Sequence, residues 1–207
     1  MKVAGKKSNY EKMQDEMAAV FLEYEQGEMI RGFGLEWDED ALYIVFVGKR
    51  YRVDRRTGEV RQEGGEKAGY NEAMTIYDVF CYSRKDCSLA HEWVNVGSLS
   101  KVQGGSLAKG GHFFQNAGDF FDGKAKELAE ACERLHGKKL PKGDVAYELE
   151  LFPFLPVIIR FWESDEDFPA TLQILVDRNI LDFMHYETVM FALTYLLERL
   201  REECGVV

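Results

Sequence analysis

The densest group of residues that could do chemistry is an acidic turn between two apolar runs. Its members are Glu163, Asp165, Glu166 and Asp167, and Phe168-Pro169 closes the turn. Carboxylate oxygens suit Ca²⁺ and Mg²⁺, but the turn lacks the alternating acidic spacing and the glycine of a calcium-binding loop. A charged hairpin tip that stays in solvent is the competing interpretation. Asp165, Glu166 and Asp167 are therefore candidate ligand-binding residues, without an assigned metal.

His185 is the histidine best suited to acid–base chemistry, because it follows Asp182 near the start of the last predicted helix. A general base of this kind needs a carboxylate partner, which would come from another part of the fold. With His91, His112 and His136 it forms neither H-x-x-x-H nor H-E-x-x-H, so a zinc site would also have to be assembled across the fold. His185 is therefore a candidate ligand-binding residue, and no catalytic residue is assigned.

Two tryptophans, Trp93 and Trp162, stand beside polar turns. Aromatic rings in such positions could form a stacking wall for a planar ligand such as a tetrapyrrole. Aromatic residues beside sheets also commonly belong to the core. Trp93 and Trp162 are thus candidate ligand-binding residues, and the sequence indicates no particular cofactor.

The segment 97–118 contains Gly104-Gly105 and Gly110-Gly111 and has neither a helical nor a strand period. It is longer than the usual connection of about 4–6 residues, which indicates a functional loop or lid. The spacing differs from the G-x-x-x-x-G-K-[ST] pattern of phosphate-binding loops, because the lysine precedes the second glycine pair. A glycine-rich lid is the preferred interpretation.

Composition bounds the class of protein. The 207 residues are 46% hydrophobic and 13% aromatic, which is enough to build a core. The net charge of -10 repels phosphate groups, so we expect neither nucleic-acid nor membrane-surface binding. The chain has no window of roughly 20 apolar residues and no apolar region after its basic start, so we expect a cytoplasmic protein. The four cysteines form no C-x-x-C pair and are predicted to be free thiols.

Hydrophobic spacing predicts four helices. Ser8 and Glu11 form a capping box that begins an amphipathic helix ending near Gly27. The others are predicted from a cap at Asn71 to about Ser83, over about 119–135, and over about 185–203. The last of these is apolar on most of its circumference, which indicates packing on more than one side.

Alternating residues predict the strands. Three or four lie between residues 33 and 60, a short one at 92–96, and three more at 145–151, 155–162 and 170–176. Runs of strands separated by runs of helices indicate an α+β fold, with antiparallel β-meanders, about four helices and a long C-terminal helix. We expect a single domain over 1–207, in which the helix within 1–30 forms an N-terminal extension.

Several short blocks of this sequence form a recognisable set. The most specific are Phe161-Trp162, Asp165 to Pro169 and Ile174 to Asp177; others are Val45 to Val53, Ile76 to Val79, Glu92 to Val94, and Gly104-Gly105. Together they resemble the domain-of-unknown-function family numbered 3786. The resemblance covers about residues 40–200. It implies a protein of anaerobic bacteria and archaea, and it supplies no catalytic residues. Some longer members resemble fusions to a cysteine-rich iron–sulfur module, but the cysteines here lack cluster-ligand spacing.

Six basic residues cluster around one predicted strand turn of this acidic chain: Lys49, Arg50, Arg52, Arg55, Arg56 and Arg61. They could attract an anionic ligand or an acidic partner, or simply protect a hairpin edge from aggregation.

Three functions therefore stay open. The leading hypothesis is a non-catalytic ligand-binding or protein-interaction module associated with anaerobic metabolism, taking a small anionic or planar ligand. The alternatives are a hydrolase that uses Asp, Glu and His groups under the glycine-rich lid, and a homodimeric structural protein in which the basic turn meets an acidic patch.

Overall fold

The computed structural model describes residues 7–101, 114 and 116–205, and only the backbone of Ser100 and Lys101. Its helices are α1 (Asn9–Phe21), α2 (Gln26–Phe33), α3 (Tyr70–Tyr82), α4 (Ala117–Phe121), α5 (Ala125–Arg134), α6 (Ile180–Phe183) and α7 (Tyr186–Glu203). Its strands are β1 (Glu36–Trp37), β2 (Ala41–Phe46), β3 (Lys49–Asp54), β4 (Val60–Gln62), β5 (Trp93–Asn95), β6 (Lys138–Lys139), β7 (Val145–Phe152), β8 (Leu155–Trp162) and β9 (Thr171–Asp177). The predicted α+β class is confirmed. Most of the predicted lid lies outside the described residues.

The strands form two antiparallel sheets. The first has the order β1-β2-β3-β4, which is the predicted meander, and the second has the order β5-β9-β8-β7-β6. Strand β8 lies in the middle of the second sheet, as its continuous apolar sequence predicts. Its pairing with β7 and β9 buries Val157, Ile159 and Phe161 in the core.

Aromatic packing joins the two sheets. The Val47 N–H, at the turn between β2 and β3, donates a 2.9 Å hydrogen bond to the carbonyl oxygen of Leu151 in β7. Next to it the Phe46 ring stacks on Phe152 at 4.8 Å and on Tyr195 of α7 at 5.1 Å between centroids. Buried residues from both sheets therefore belong to one continuous hydrophobic cluster.

The four predicted helices correspond to the four longest ones, α1, α3, α5 and α7. Helix α7 packs against both α3 and α5, which explains its apolar circumference. Three details of the prediction were wrong. The first helix ends at Phe21, and a separate helix, α2, contains Gly27. Helix α3 is capped by Gly69 instead of Asn71. The predicted helix 119–135 is two helices, because the chain turns at Gly123, whose φ of 68° lies in the left-handed region.

Candidate functional site

The two predicted tryptophans lie far apart on one face of the second sheet. Trp93 pairs with Asp177 across β5 and β9, and Trp162 pairs with Thr171 across β8 and β9. Residues directly opposite each other share a face, and the two partners, Thr171 and Asp177, are six positions apart in β9. At about 3.3 Å per residue, roughly 20 Å separates these positions. The two rings therefore do not form one wall for a small planar ligand.

The acidic turn is held by hydrogen bonds within itself and to neighbouring segments. The Asp165 Oδ1 atom accepts hydrogen bonds from the N–H groups of Asp167 (2.9 Å) and Phe168 (2.8 Å), and the carboxylate of Glu163 accepts one from the first N–H of α5. The side chains of Glu166 and Asp167 are exposed. Across residues 7–101, 114 and 116–205, no group of three or more His, Cys, Asp or Glu side chains is arranged to hold a metal ion. This arrangement is that of a charged hairpin tip.

His185 has the carboxylate partner that general-base chemistry requires. Its Nδ1 atom lies 2.7 Å from Oδ1 of Asp78 on α3, and its backbone N–H donates a 2.7 Å bond to Oδ2 of the same carboxylate. The His185 side chain is 61% exposed and the Asp78 side chain only 10%. Asp78 therefore both orients the imidazole and caps the N-terminus of α7 through the backbone N–H of its N-cap residue, His185. The sequence placed these residues more than a hundred positions apart and gave no sign of the pairing.

The predicted site residues thus occupy separate places: Trp93 at one end of the second sheet, Trp162 beside the acidic turn at the other, and His185 at the start of α7. The structure does not bring these three groups together around one ligand.

A cleft of about 450 Å³ lies where α1, α3 and α7 meet. Its lining combines two carboxylates with three aromatic rings: Tyr10, Gly69, Tyr70, Asn71, Glu72, Phe191 and Glu198. The Tyr70 ring makes edge contacts with Tyr10 at 4.8 Å and with Phe191 at 5.6 Å between centroids. No Lys, Arg or His side chain belongs to this lining. The cleft is therefore an aromatic pocket with negative charge.

Glu72 is the distinctive residue of this cleft, because its side chain is buried without a cationic partner. The residue is 8% exposed, and its Oε1 atom accepts a long bond of 3.3 Å from the Tyr51 hydroxyl. Within the described part of the chain, Oε2 has no hydrogen-bond partner and neither oxygen lies within 4 Å of a cation. Oε2 is not among the fully buried atoms that lack a partner, so a donor that enters the cleft can reach it.

Gly69 leaves room for that unpaired oxygen. A Cβ atom built on Gly69 would lie 2.1 Å from Oε2 of Glu72, so any side chain at this position would displace the carboxylate. Gly69 is the N-cap residue of α3, and Glu72 lies in the first turn of that helix, where the helix dipole favours a negative charge.

Two buried hydroxyls fix the other oxygen of Glu72. The hydroxyls of Tyr51 and Tyr195 lie 2.7 Å apart. With Glu72 ionised, Tyr51 donates to the carboxylate and Tyr195 donates to Tyr51. Burial raises the pKa of both phenols, that of Tyr195 to about 12, so both keep their protons at neutral pH.

Glu198 gives the cleft its second charge. Partial burial raises the pKa of its carboxyl group, and the nearby charges of Glu72 and Glu202 raise it further, while Arg201 lowers it. A raised carboxyl pKa means that the surroundings disfavour another negative charge. Of these causes, the negative charges of Glu72 and Glu202 favour a cation, whereas burial disfavours a charge of either sign.

Sequence reasoning missed this cleft, although part of the signal is visible. Phe191, Tyr195 and Glu198 follow one another at spacings of four and three, so they share one face of α7. What the sequence could not show is that this face meets Glu72 from α3 and Tyr10 from α1.

The fold and the cleft define an α+β protein whose candidate site is an acidic, aromatic pocket between helices. The chain belongs to the family Domain of unknown function (DUF3786), whose model matches residues 26–199. Of the residues that line the cleft, Tyr10 alone precedes the matched range. No curated protein and no solved structure shows significant similarity to the chain. Among the described residues, no helix combines the length and the apolar character needed to cross a membrane.

Proposed function

We propose that this protein is a non-catalytic binding module for an organic cation, which occupies the cleft between α1, α3 and α7. The observation that carries this proposal is the buried carboxylate of Glu72, which lines the cleft and has an unpaired oxygen. A bound cation would supply the positive partner that the folded chain does not provide.

The aromatic rings favour an organic cation over a hydrated metal ion. A cation over the face of an aromatic ring gains about 0.5–2 kcal/mol, depending on how far it is desolvated. Tyr10, Tyr70 and Phe191 supply three such rings beside the two carboxylates. The sequence led us to expect a small anionic or planar ligand. The charge of the cleft favours a cation instead, and a guanidinium group would keep the planar character.

Butylammonium chloride is a suitable probe, and 1-butanol is its neutral analogue. We expect butylammonium to shift the backbone amide resonances of Gly69 to Glu72 in a saturable way, whereas 1-butanol and matched sodium chloride do not. Glu72→Gln removes the buried charge and keeps the shape, so it should weaken butylammonium binding at least tenfold. The matched control is Glu166→Gln, which neutralises an exposed carboxylate outside the cleft.

Two results would overturn the proposal. One is an equal response to butylammonium and 1-butanol, which would show that charge is irrelevant. The other is a Glu72→Gln variant that binds butylammonium as tightly as the unaltered protein does.

A second candidate function, a hydrolase, is favoured by the Asp78–His185 pair. A carboxylate that holds Nδ1 leaves Nε2 to act as a proton acceptor, the arrangement used by a general base. It ranks second because the imidazole is largely exposed and Asp78 already serves as the cap of α7. Assays with p-nitrophenyl esters and phosphates should compare His185→Asn with His136→Asn, a second exposed histidine. Hydrolysis lost only in His185→Asn would support the enzyme; equal rates would dismiss it.

Homodimer formation through the basic turn stays a prediction. Most of the basic residues around β3 already pair with carboxylates of the same chain: Arg50 with Glu36 and Glu63, Arg52 with Asp54, Arg56 with Asp40, Arg61 with Glu59, and Lys49 with Glu202. Little uncompensated charge is left to attract a second copy. Light scattering at low and high salt would detect a dimer. The association with anaerobic metabolism that the family resemblance implies also stays a prediction.

A further inference from the structure

The cleft also indicates which kind of cation it binds. Resting on the proposed function, we infer that the ligand carries its charge on a group with N–H donors, namely a primary to tertiary ammonium or a guanidinium, and that a quaternary ammonium group is discriminated against. Aromatic rings alone would accept either kind, since cation–π attraction requires only charge. The discrimination comes from Glu72.

The argument begins with the two oxygens of the Glu72 carboxylate, which have different surroundings. Oε1 receives the Tyr51 hydroxyl, whose own position is fixed by the 2.7 Å contact with Tyr195. Oε2 has no hydrogen-bond partner among the described residues. The carboxylate therefore offers one oxygen, held in a defined position, as an acceptor for a donor that enters through the cleft.

A quaternary ammonium ion cannot satisfy that oxygen. Its methyl groups would displace water from Oε2 and give no hydrogen bond in return, so the buried carboxylate would stay unpaired. An N–H donor removes the same water and replaces it with a charge-assisted hydrogen bond. Sites built to hydrogen-bond a ligand reject analogues that lack the donor much more strongly than apolar pockets reject an altered shape.

Gly69 is the second element of this selectivity. A Cβ on Gly69 would stand 2.1 Å from Oε2, so the glycine allows the unpaired oxygen to lie in this position against the backbone. An alanine there would push the far end of the flexible Glu72 side chain aside, which the fold can tolerate. Glu198, by contrast, is an exposed residue of the cleft lining.

Calorimetric titration with butylammonium and butyltrimethylammonium tests this inference, because the two ions share charge and chain length. We expect butylammonium to bind at least tenfold more tightly. In Glu72→Gln both ions should bind weakly and the preference should fall to less than threefold. Gly69→Ala should reduce the preference as well, and circular dichroism would confirm that the variant is folded. Glu166→Gln should leave both affinities unchanged.

The outcomes separate this inference from the proposed function. If neither ion binds, both are overturned. Equal binding of the two ions, or tighter binding of butyltrimethylammonium, overturns the selectivity and leaves the cation site in place. If the preference for butylammonium persists in Glu72→Gln, another residue causes it, and the inference is overturned.

Discussion

Two buried carboxylates in this molecule have opposite environments. Asp177, 1% exposed at the end of β9, accepts three backbone hydrogen bonds, from Ala90 (2.9 Å), His91 (2.8 Å) and Asn179 (2.8 Å). Glu72, 8% exposed, accepts one long bond from a tyrosine hydroxyl. The Asp177 carboxylate thus has three donors from the chain, whereas the Glu72 carboxylate has one and leaves its other oxygen open to the cleft.

The difference separates a structural role from a binding role. The Asp177 carboxylate binds the backbone N–H groups of residues 90, 91 and 179 to the end of a core strand. It also helps to hold His91 at a φ of 56°, a backbone angle that residues other than glycine rarely adopt. Glu72 holds no other backbone segment in this way. A buried carboxylate whose acceptors are filled stabilises the fold, whereas the free acceptor of Glu72 is the group to which the proposed function assigns the ligand.

The largest effect is expected at Asp177. Asp177→Asn replaces one acceptor oxygen by an NH₂ group that faces a backbone donor, and it removes the charge that strengthens the remaining bonds. We expect the free energy of unfolding to fall by about 3 kcal/mol. Urea denaturation measures this as a lower midpoint at an unchanged slope. A fall smaller than about 0.5 kcal/mol, the size expected for the exposed control Glu166→Gln, would contradict the structural role of Asp177.

Asp78 is an intermediate case, because both of its carboxylate oxygens are hydrogen-bonded to a single residue, His185. In Asp78→Asn the amide oxygen can still cap α7, while the amide N–H must donate to Nδ1. We therefore expect a loss of about 1 kcal/mol in unfolding free energy, typical of an altered cap. We also expect the neutral imidazole to carry its proton on Nε2 instead of Nδ1. Nitrogen NMR of the histidine ring distinguishes the two tautomers, and an unchanged tautomer would contradict the pairing.

Glu72→Gln should have little effect on stability, in contrast to Asp177→Asn. The Gln oxygen can still accept from Tyr51, and the cost of burying a charge disappears, so the unfolding free energy should stay within about 1 kcal/mol of its original value or rise. The same urea experiment tests this. A loss as large as that of Asp177→Asn would show that Glu72 is a structural residue, and the contrast between the two carboxylates would fail.

The smallest effect is the pH dependence that Glu198 contributes. Its pKa is raised in the folded protein, by partial burial and by Glu72 and Glu202 against Arg201. The folded state therefore binds the Glu198 proton more tightly than the unfolded chain does, and stability falls as the pH rises from the ordinary glutamate pKa through the folded value. Urea denaturation between about pH 4 and 7 should show a smaller fall in the unfolding free energy for Glu198→Gln than for the unaltered protein. An identical slope in both proteins would contradict the raised pKa.

Much of the fold follows from local pattern, because periodicity reports on one element at a time. The apolar run of β8 identified a central strand, and the apolar circumference of α7 identified a helix packed on several sides. The errors occurred where a single residue ends an element, as at Gly123, whose left-handed conformation separates α4 from α5. The sequence shows that residue 123 is glycine, but it does not show which φ angle this glycine adopts.

The sites were less predictable, because they depend on contacts between distant segments. His185 was chosen for its residue type, yet its partner Asp78 lies on another helix, 107 positions away. Glu72 stands in an unremarkable helix start, and Tyr51, whose hydroxyl contacts it, belongs to the first sheet. Trp93 and Trp162, which the sequence suggested as partners, are instead held at opposite ends of one strand.

Carbon NMR of the side-chain carboxyl groups, recorded during a butylammonium titration, compares the two carboxylates in one sample. If Glu72 is the ligand-binding group, its carboxyl resonance will move with the same dissociation constant that calorimetry gives, while the resonance of Asp177 stays in place. A Glu72 resonance that does not move while butylammonium binds would contradict the account.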